Sequence, residues 1–134
     1  MHQLLSNYKN ISHYPLVKWA AVVHLHWVSD FIDYPTFFKE VRKPIVWTLH
    51  DENPATGLLH YEISKQSPLN EQLKRLYMFC RCIKRKCVQQ AYNLNIVAIS
   101  KEMAEVCRTS DVLKGFPKTL INNGIEDSLF VPVD

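Results

Sequence analysis

The sequence predicts an α/β fold in which a parallel sheet of about four strands is flanked by helices. Two observations carry this. Helix-period segments and short apolar segments alternate along the chain. The short segments are also nearly continuous apolar runs, the pattern of strands buried on both faces with helices on either side, rather than of strands with one wet face. A third observation concerns function. Each predicted strand ends on polar, hydrogen-bonding residues, and in parallel sheets ligands bind outside the carboxyl ends of the strands.

The elements follow in order. Leu4, Leu5, Tyr8 and Ile11 recur at helical spacing, so the first dozen residues predict an amphipathic helix. Pro15 suits the first turn of a short second helix through Val17 and Trp19. Ala20-Ala21-Val22-Val23-His24-Leu25-His26-Trp27 reads as a buried strand, in which His24 is expected to be a satisfied core histidine. Asp33 is placed to cap a helix that carries Pro35 early and buries Phe37, Phe38 and Val41, with Pro44 as its stop. Ile45 to Leu49 is the second strand, and a long loop from about Asp51 to Pro68 follows.

The third large helix is the clearest element. Leu69, Leu73, Leu76, Cys80, Ile83 and Cys87 form one apolar stripe expected to serve the core, while Lys74, Arg75, Arg81, Lys84, Arg85 and Lys86 cover much of the rest. Asn95 to Ile99 is the third strand. Ser100 caps the next helix, whose Met103, Val106 and Cys107 face inward. Lys118 to Ile121 forms a short fourth strand, Asn122-Asn123-Gly124 turns out of it, and Phe130 to Asp134 reads as the start of a linker.

Composition limits the function classes. At 134 residues the chain suits one domain, and 47% hydrophobic with 22% charged residues is ordinary for a soluble globular protein. A net charge of +3 is too weak to argue for nucleic acid. No apolar run is long enough to span a bilayer, and the start does not resemble a secretory leader, so the expected location is the cytoplasm. The four cysteines, Cys80, Cys82, Cys87 and Cys107, are then expected to be reduced thiols. Cys80-Arg81-Cys82 with Cys87 lacks the paired two-residue spacing of a zinc ribbon, so no metal is expected.

The candidate site lies along the predicted carboxyl edge. His26 and Trp27 follow the first strand, His50 and Asp51 the second, Ser100 and Lys101 the third, and Asn123 and Gly124 the fourth. Polar residues end strands in every α/β protein, and Asn123-Gly124 is explicable as turn chemistry alone. It is the series at one edge that raises them to candidates.

The segments "VVHLHW", "KPIVWTLHDENPATG", "HY", "NIVAISKEMAEVC" and "LINNGIEDSLFVP" occur in the order and at the spacing that resemble the amino-terminal domain of family 4 glycosyltransferases of bacterial polysaccharide synthesis. The resemblance runs from about Val22 to Pro132. It implies a Rossmann-like half-domain, part of the first domain of the two-domain GT-B fold. It also implies retaining transfer of a sugar from a nucleotide-sugar donor, which is a substrate, with no tightly bound cofactor. By the same resemblance His50 is the candidate catalytic residue, near acceptor and transferred sugar. Asp51 shares its loop, Ser100 caps a helix facing the cleft, and Asn123 and Gly124 lie where the domain approaches that cleft. His26 joins them as a candidate binding residue on its position at the strand end.

The departures from the family are specific. The loop after His50-Asp51 reads Asn53, Ala55, Gly57, Leu58 and Leu59, where relatives often carry bulky aromatics and a glycine pair with cysteine. The family's opening strand and glycine-rich loop have no counterpart, since the chain has only three glycines and none near its start. Residues 1–134 are therefore expected to be a single partial amino-terminal domain without the donor-binding second domain, and inactive alone. A homodimer through an exposed sheet edge or the first helix, a separate donor-domain chain, and peripheral contact with the inner membrane face are the expected partners. The alternative is a nonenzymatic glycan- or partner-binding module, or a truncated remnant.

Overall fold

A computed structural model describes residues 10–29, 31–57 and 70–124. A short 3-10 turn, Ile11–His13, precedes helix α1 (Pro15–Trp19), strand β1 (Val23–Leu25), helix α2 (Tyr34–Glu40) and strand β2 (Pro44–Leu49). A second 3-10 turn, Asn53–Ala55, leads towards helix α3 (Glu71–Val88), which is followed by β3 (Asn93–Ala98), α4 (Lys101–Thr109) and β4 (Lys118–Leu120). Residues 1–9 of the expected amphipathic helix lie outside those described, and its end is corrected: Asn10 caps the 3-10 turn that holds Ile11, so the helix does not continue through residue 12. The distal part of the long loop and the linker also lie outside the described residues.

The four strands form one parallel sheet in the order β1-β2-β3-β4. This is the α/β architecture expected from the alternating elements, consistent with a Rossmann-like half-domain. Side-chain caps start two of the helices. The Asn70 side chain accepts the Leu73 N–H at 2.8 Å and the Ser100 hydroxyl accepts that of Met103 at 3.1 Å, each capping a helix start. Asp33 stands at the cap position of α2 as expected, but its side chain makes no bond to the helix backbone and instead accepts from Thr36 Oγ1. Pro44, expected as a helix stop, instead opens β2, a position where its missing N–H is tolerated.

The sheet differs from expectation in one respect. When strands add consecutively in one direction, right-handed crossovers place every connecting helix on the same face. Burial follows that rule. Leu25, Ile45, Trp47, Leu49, Leu94, Ile96 and Ala98 form the core with Phe37, Phe38 and Val41 around α2, Val88 of α3 and Met103 and Cys107 of α4. On the other face His24 and Thr119 are exposed, Val46, Asn95 and Val97 are half-buried, and Thr48 is buried. Apolar runs suggested two covered faces. The run of β1 instead extends into residues that stay wet, with Val22 50% exposed.

The α3 stripe is a second departure. Of its described members Cys87 is buried and Cys80 and Ile83 are half-buried, but Leu73 and Leu76 are 40% and 39% exposed, and Met78 and Phe79 beside the stripe are 56% and 53% exposed. Only the carboxyl-terminal part of the helix packs deeply. Val112 and Leu113, in the turn after α4, are fully buried and had no periodic signature to announce them.

Candidate functional site

Parallel register brings the carboxyl ends of the strands to one edge. Leu25 pairs with Trp47 and Leu49 with Ala98, so His26 and His50 follow directly at that edge. Side chains alternate along a strand, so His24 and His26 share one face, as do Thr48 and His50 on the next strand. Both pairs lie on the open face. His24 Nε2 hydrogen-bonds Thr48 Oγ1 at 2.9 Å, and His26 Nδ1 lies 3.0 Å from His50 Nε2. The rings of His24 and His26 are 4.1 Å apart, and those of His26 and His50 are stacked at 5.3 Å. Three imidazoles thus form a row across two strands. His24 is satisfied, as expected, but on the open face and not in the core. The signal that would have placed it is the alternate spacing His24-Leu25-His26.

The backbone under the row is anchored from below. The indole N–H of Trp47, itself fully buried, donates to the His26 carbonyl at 3.3 Å. This ties the exposed edge to the aromatic cluster of Trp47, Phe38 and Tyr34.

The loop after His50 turns the other way. Asp51 is buried, and its carboxylate accepts the Asn53 N–H at 3.1 Å, an Asx turn within the loop. Lys84 of α3 reaches the Asn53 carbonyl and side-chain oxygens, both at 2.7 Å, and lies 5.8 Å from the Tyr34 ring centre. Ser110 Oγ donates to the Ala55 carbonyl at 2.8 Å. Residues 53–57 are all buried. The stretch from Asp51 to Gly57 is therefore packed onto the helices. A small cleft of about 130 Å³ beside it, lined by Glu52, Tyr77, Arg81 and Thr109 among others, is well below the size of a usual ligand pocket. Its Arg81 is already paired with Asp111 at 2.6 Å.

The remaining candidates stand apart from the histidine row. Ser100 is half-buried and its hydroxyl is engaged as the α4 cap. Asn123 and Gly124 are exposed beyond β4, at the far edge of the sheet from β1. A Cβ on Gly124 would meet open space. The structure thus brings His26 and His50 together, sets Asp51 inward and leaves the other three separate. No family model, curated protein or solved structure matches this chain.

What the row can do follows from imidazole chemistry. In the His26–His50 bond one nitrogen donates and the other accepts, leaving His26 Nε2 and His50 Nδ1 without a partner among the described residues. A neutral pair therefore offers one further donor and one further acceptor, suited to hydroxyl groups. Protonating both rings removes the acceptor and breaks the pair. Among the described residues, no group of three or more His, Cys, Asp or Glu side chains could hold a metal ion. Three of the four thiols are poor nucleophiles. Burial pushes Cys80 and Cys87 up, and Cys107 to about 11.

His24 makes the row sensitive to acid. Partial burial of its ring, then the charges of His26 and His50, hold its pKa below the ordinary 6.5. The unfolded chain takes up this proton first as pH falls. The associated stability is complete above about pH 6.5 and is lost progressively as pH drops through the lower folded value. We expect the denaturation midpoint of the wild type to fall between pH 7 and pH 5 more than that of His24→Gln. Equal pH dependence in the two proteins, or a His24 ring that titrates at or above 6.5 by NMR, would contradict this assignment.

Proposed function

We propose that this chain is a glycosyltransferase-related protein whose His26–His50 edge belongs to the acceptor side of a sugar-transfer cleft. The reaction served is transfer from a nucleotide-sugar donor to a glycan or lipid-linked acceptor in polysaccharide synthesis. The observation that carries the reading is the convergence of two imidazoles, from separate strands, at 3.0 Å on the carboxyl edge of a parallel sheet. His50 is the proposed catalytic residue, bonding a hydroxyl of the acceptor or the reacting sugar, and His26 holds its ring in place. The nucleotide-sugar is a substrate and no tightly bound cofactor is invoked.

Transfer requires both substrates in register and charge stabilisation on the departing diphosphate. The histidine row supplies neither a diphosphate clamp nor a second wall. The isolated chain is therefore proposed to bind acceptor without transferring sugar, and to work in the cytoplasm with a donor-binding partner chain or as a homodimer through the β1 edge. A specific observation favours a second reading, a nonenzymatic glycan-binding module: the Asp51 carboxylate is buried in its own loop, so the paired imidazoles are the groups left to meet a ligand beside it.

Saturation-transfer NMR with a panel of oligosaccharides tests the binding that both readings share. We expect weak association that falls about tenfold in His50→Ala, a loss of one good hydrogen bond at roughly 1.4 kcal/mol. Absence of binding to any sugar, or equal binding by His26→Ala, His50→Ala and wild type, would remove both. Sugar transfer from a nucleotide-sugar by the purified chain would instead overturn the proposal that it binds acceptor without transfer.

A further inference from the structure

The exposed side of α3 is the feature the histidine site leaves unused. Successive residues on a helix are about 100° apart, which places Leu76, Phe79 and Ile83 in one row. Arg75 and Lys86 run beside that row, and Lys74, Met78 and Arg85 continue round the exposed surface. The basic residues on the inward flank are engaged: Arg81 with Asp111 and Lys84 with Asn53. Those on the outward side are not held in the same way. Arg75 has only a solvent-exposed contact with Glu71 at 3.8 Å, Arg85 approaches Asp111 at 3.9 Å, and no ion pair is recorded for Lys74 or Lys86 among the described residues. Glu71 is the only acidic residue of the helix.

We propose that this side of α3 docks on an anionic bilayer surface. Leu76 and Phe79 enter the headgroup boundary, and Arg75 and Lys86 lie along the lipid phosphates with their aliphatic stems on the apolar row. Three observations argue for this occupant. The apolar side chains are large and left in water, which costs free energy unless something covers them. The charge beside them is predominantly basic, with Glu71 the one acidic residue of the helix, which is complementary to anionic headgroups and hostile to a second copy of the same face. The helix is 18 residues long yet no described helix is long and apolar enough to cross a membrane, so the surface is suited to lying on a bilayer and not to spanning it. The histidine row lies on the opposite face of the sheet from the helices, so docking leaves it open.

Co-flotation of the full chain with vesicles is the test, using phosphatidylcholine alone and phosphatidylcholine mixed with phosphatidylserine. Binding is expected to the mixed vesicles, to weaken with added salt, and to be much weaker on neutral ones. Arg75→Gln with Lys86→Gln should weaken it about twenty-five-fold, taking roughly fivefold for each basic side chain at an anionic surface. Phe79→Ser should lower it about tenfold even at high salt, since it removes buried apolar area. All three positions are exposed, so the variants keep the fold. Equal binding to neutral and anionic vesicles, or unchanged binding by both variants, overturns the proposal. So does a chain that ignores vesicles but self-associates in a way that Phe79→Ser abolishes.

Discussion

Trp47→Ala is expected to lower stability by about 3–5 kcal/mol, enough to leave much of the chain unfolded at moderate temperature. Trp47 is fully buried, and its ring lies 5.5 Å from Phe38 and 6.0 Å from Tyr34 between centroids. Removing it opens a large cavity at the centre of the sheet's covered face. The effect reaches the candidate site, because the indole N–H also holds the His26 carbonyl. Trp47→Phe separates the two contributions. It keeps most of the apolar bulk but cannot donate the hydrogen bond, so it should cost about 1–3 kcal/mol and shift the His26 ring resonances. Urea unfolding followed by circular dichroism measures the first effect, and NMR of the imidazoles the second. A Trp47→Ala protein within about 1 kcal/mol of wild type would show that the aromatic cluster is not the centre of the core.

Gly57→Ala should be the most damaging alanine substitution among the three glycines. A Cβ at Gly57 would sit 2.3 Å from the Tyr77 carbonyl oxygen and 3.0 Å from its carbonyl carbon. Those are backbone atoms of α3, which cannot rotate aside as a side chain would. The loop or the helix must move, and the cost is expected to exceed about 1–3 kcal/mol. Since this loop begins at His50, its displacement should also disturb the His26–His50 bond. Gly124→Ala is the matching control. Nothing lies within 4 Å of the added carbon there, so stability should stay within about 0.5 kcal/mol of wild type. Denaturant midpoints of the two variants, measured side by side, decide the matter: equal midpoints would mean that the loop does not press on α3.

The contrast between these two glycines shows where sequence reading stops. Asn123-Gly124 carries a turn signal that drew attention, while Gly57 sits in a loop whose composition suggests only irregular backbone. The constraint on Gly57 comes from Tyr77, twenty residues away, and no local pattern contains it. Asp51 is a similar case. Its position after a buried strand pointed to a ligand, but Lys84, Ser110 and their partners draw the following loop down onto the helices, and the carboxylate serves the Asn53 amide. The α3 stripe failed for another reason. Periodicity states which residues share a side of a helix, but not how closely the sheet approaches that side along its length. The core meets Cys87, half-covers Cys80 and Ile83, and leaves Leu73 and Leu76 exposed.

Local chemistry was sufficient for the element types, their order, the cap at Ser100, and the placing of His26 and His50 at strand ends, but the cap at Asn70 went unread and Asp33 makes no side-chain cap. Hydrophobic period, chain punctuation and side-chain hydrogen bonding act over a few residues and are written in the chain itself. Tertiary structure alone decided that the strands add in one direction. That choice puts all the crossovers on one face, leaves the other open, and turns three separate histidines into a row whose His26 and His50 nitrogens lie 3.0 Å apart. The reason is that register and crossover hand are properties of strand pairs, fixed only when distant segments meet.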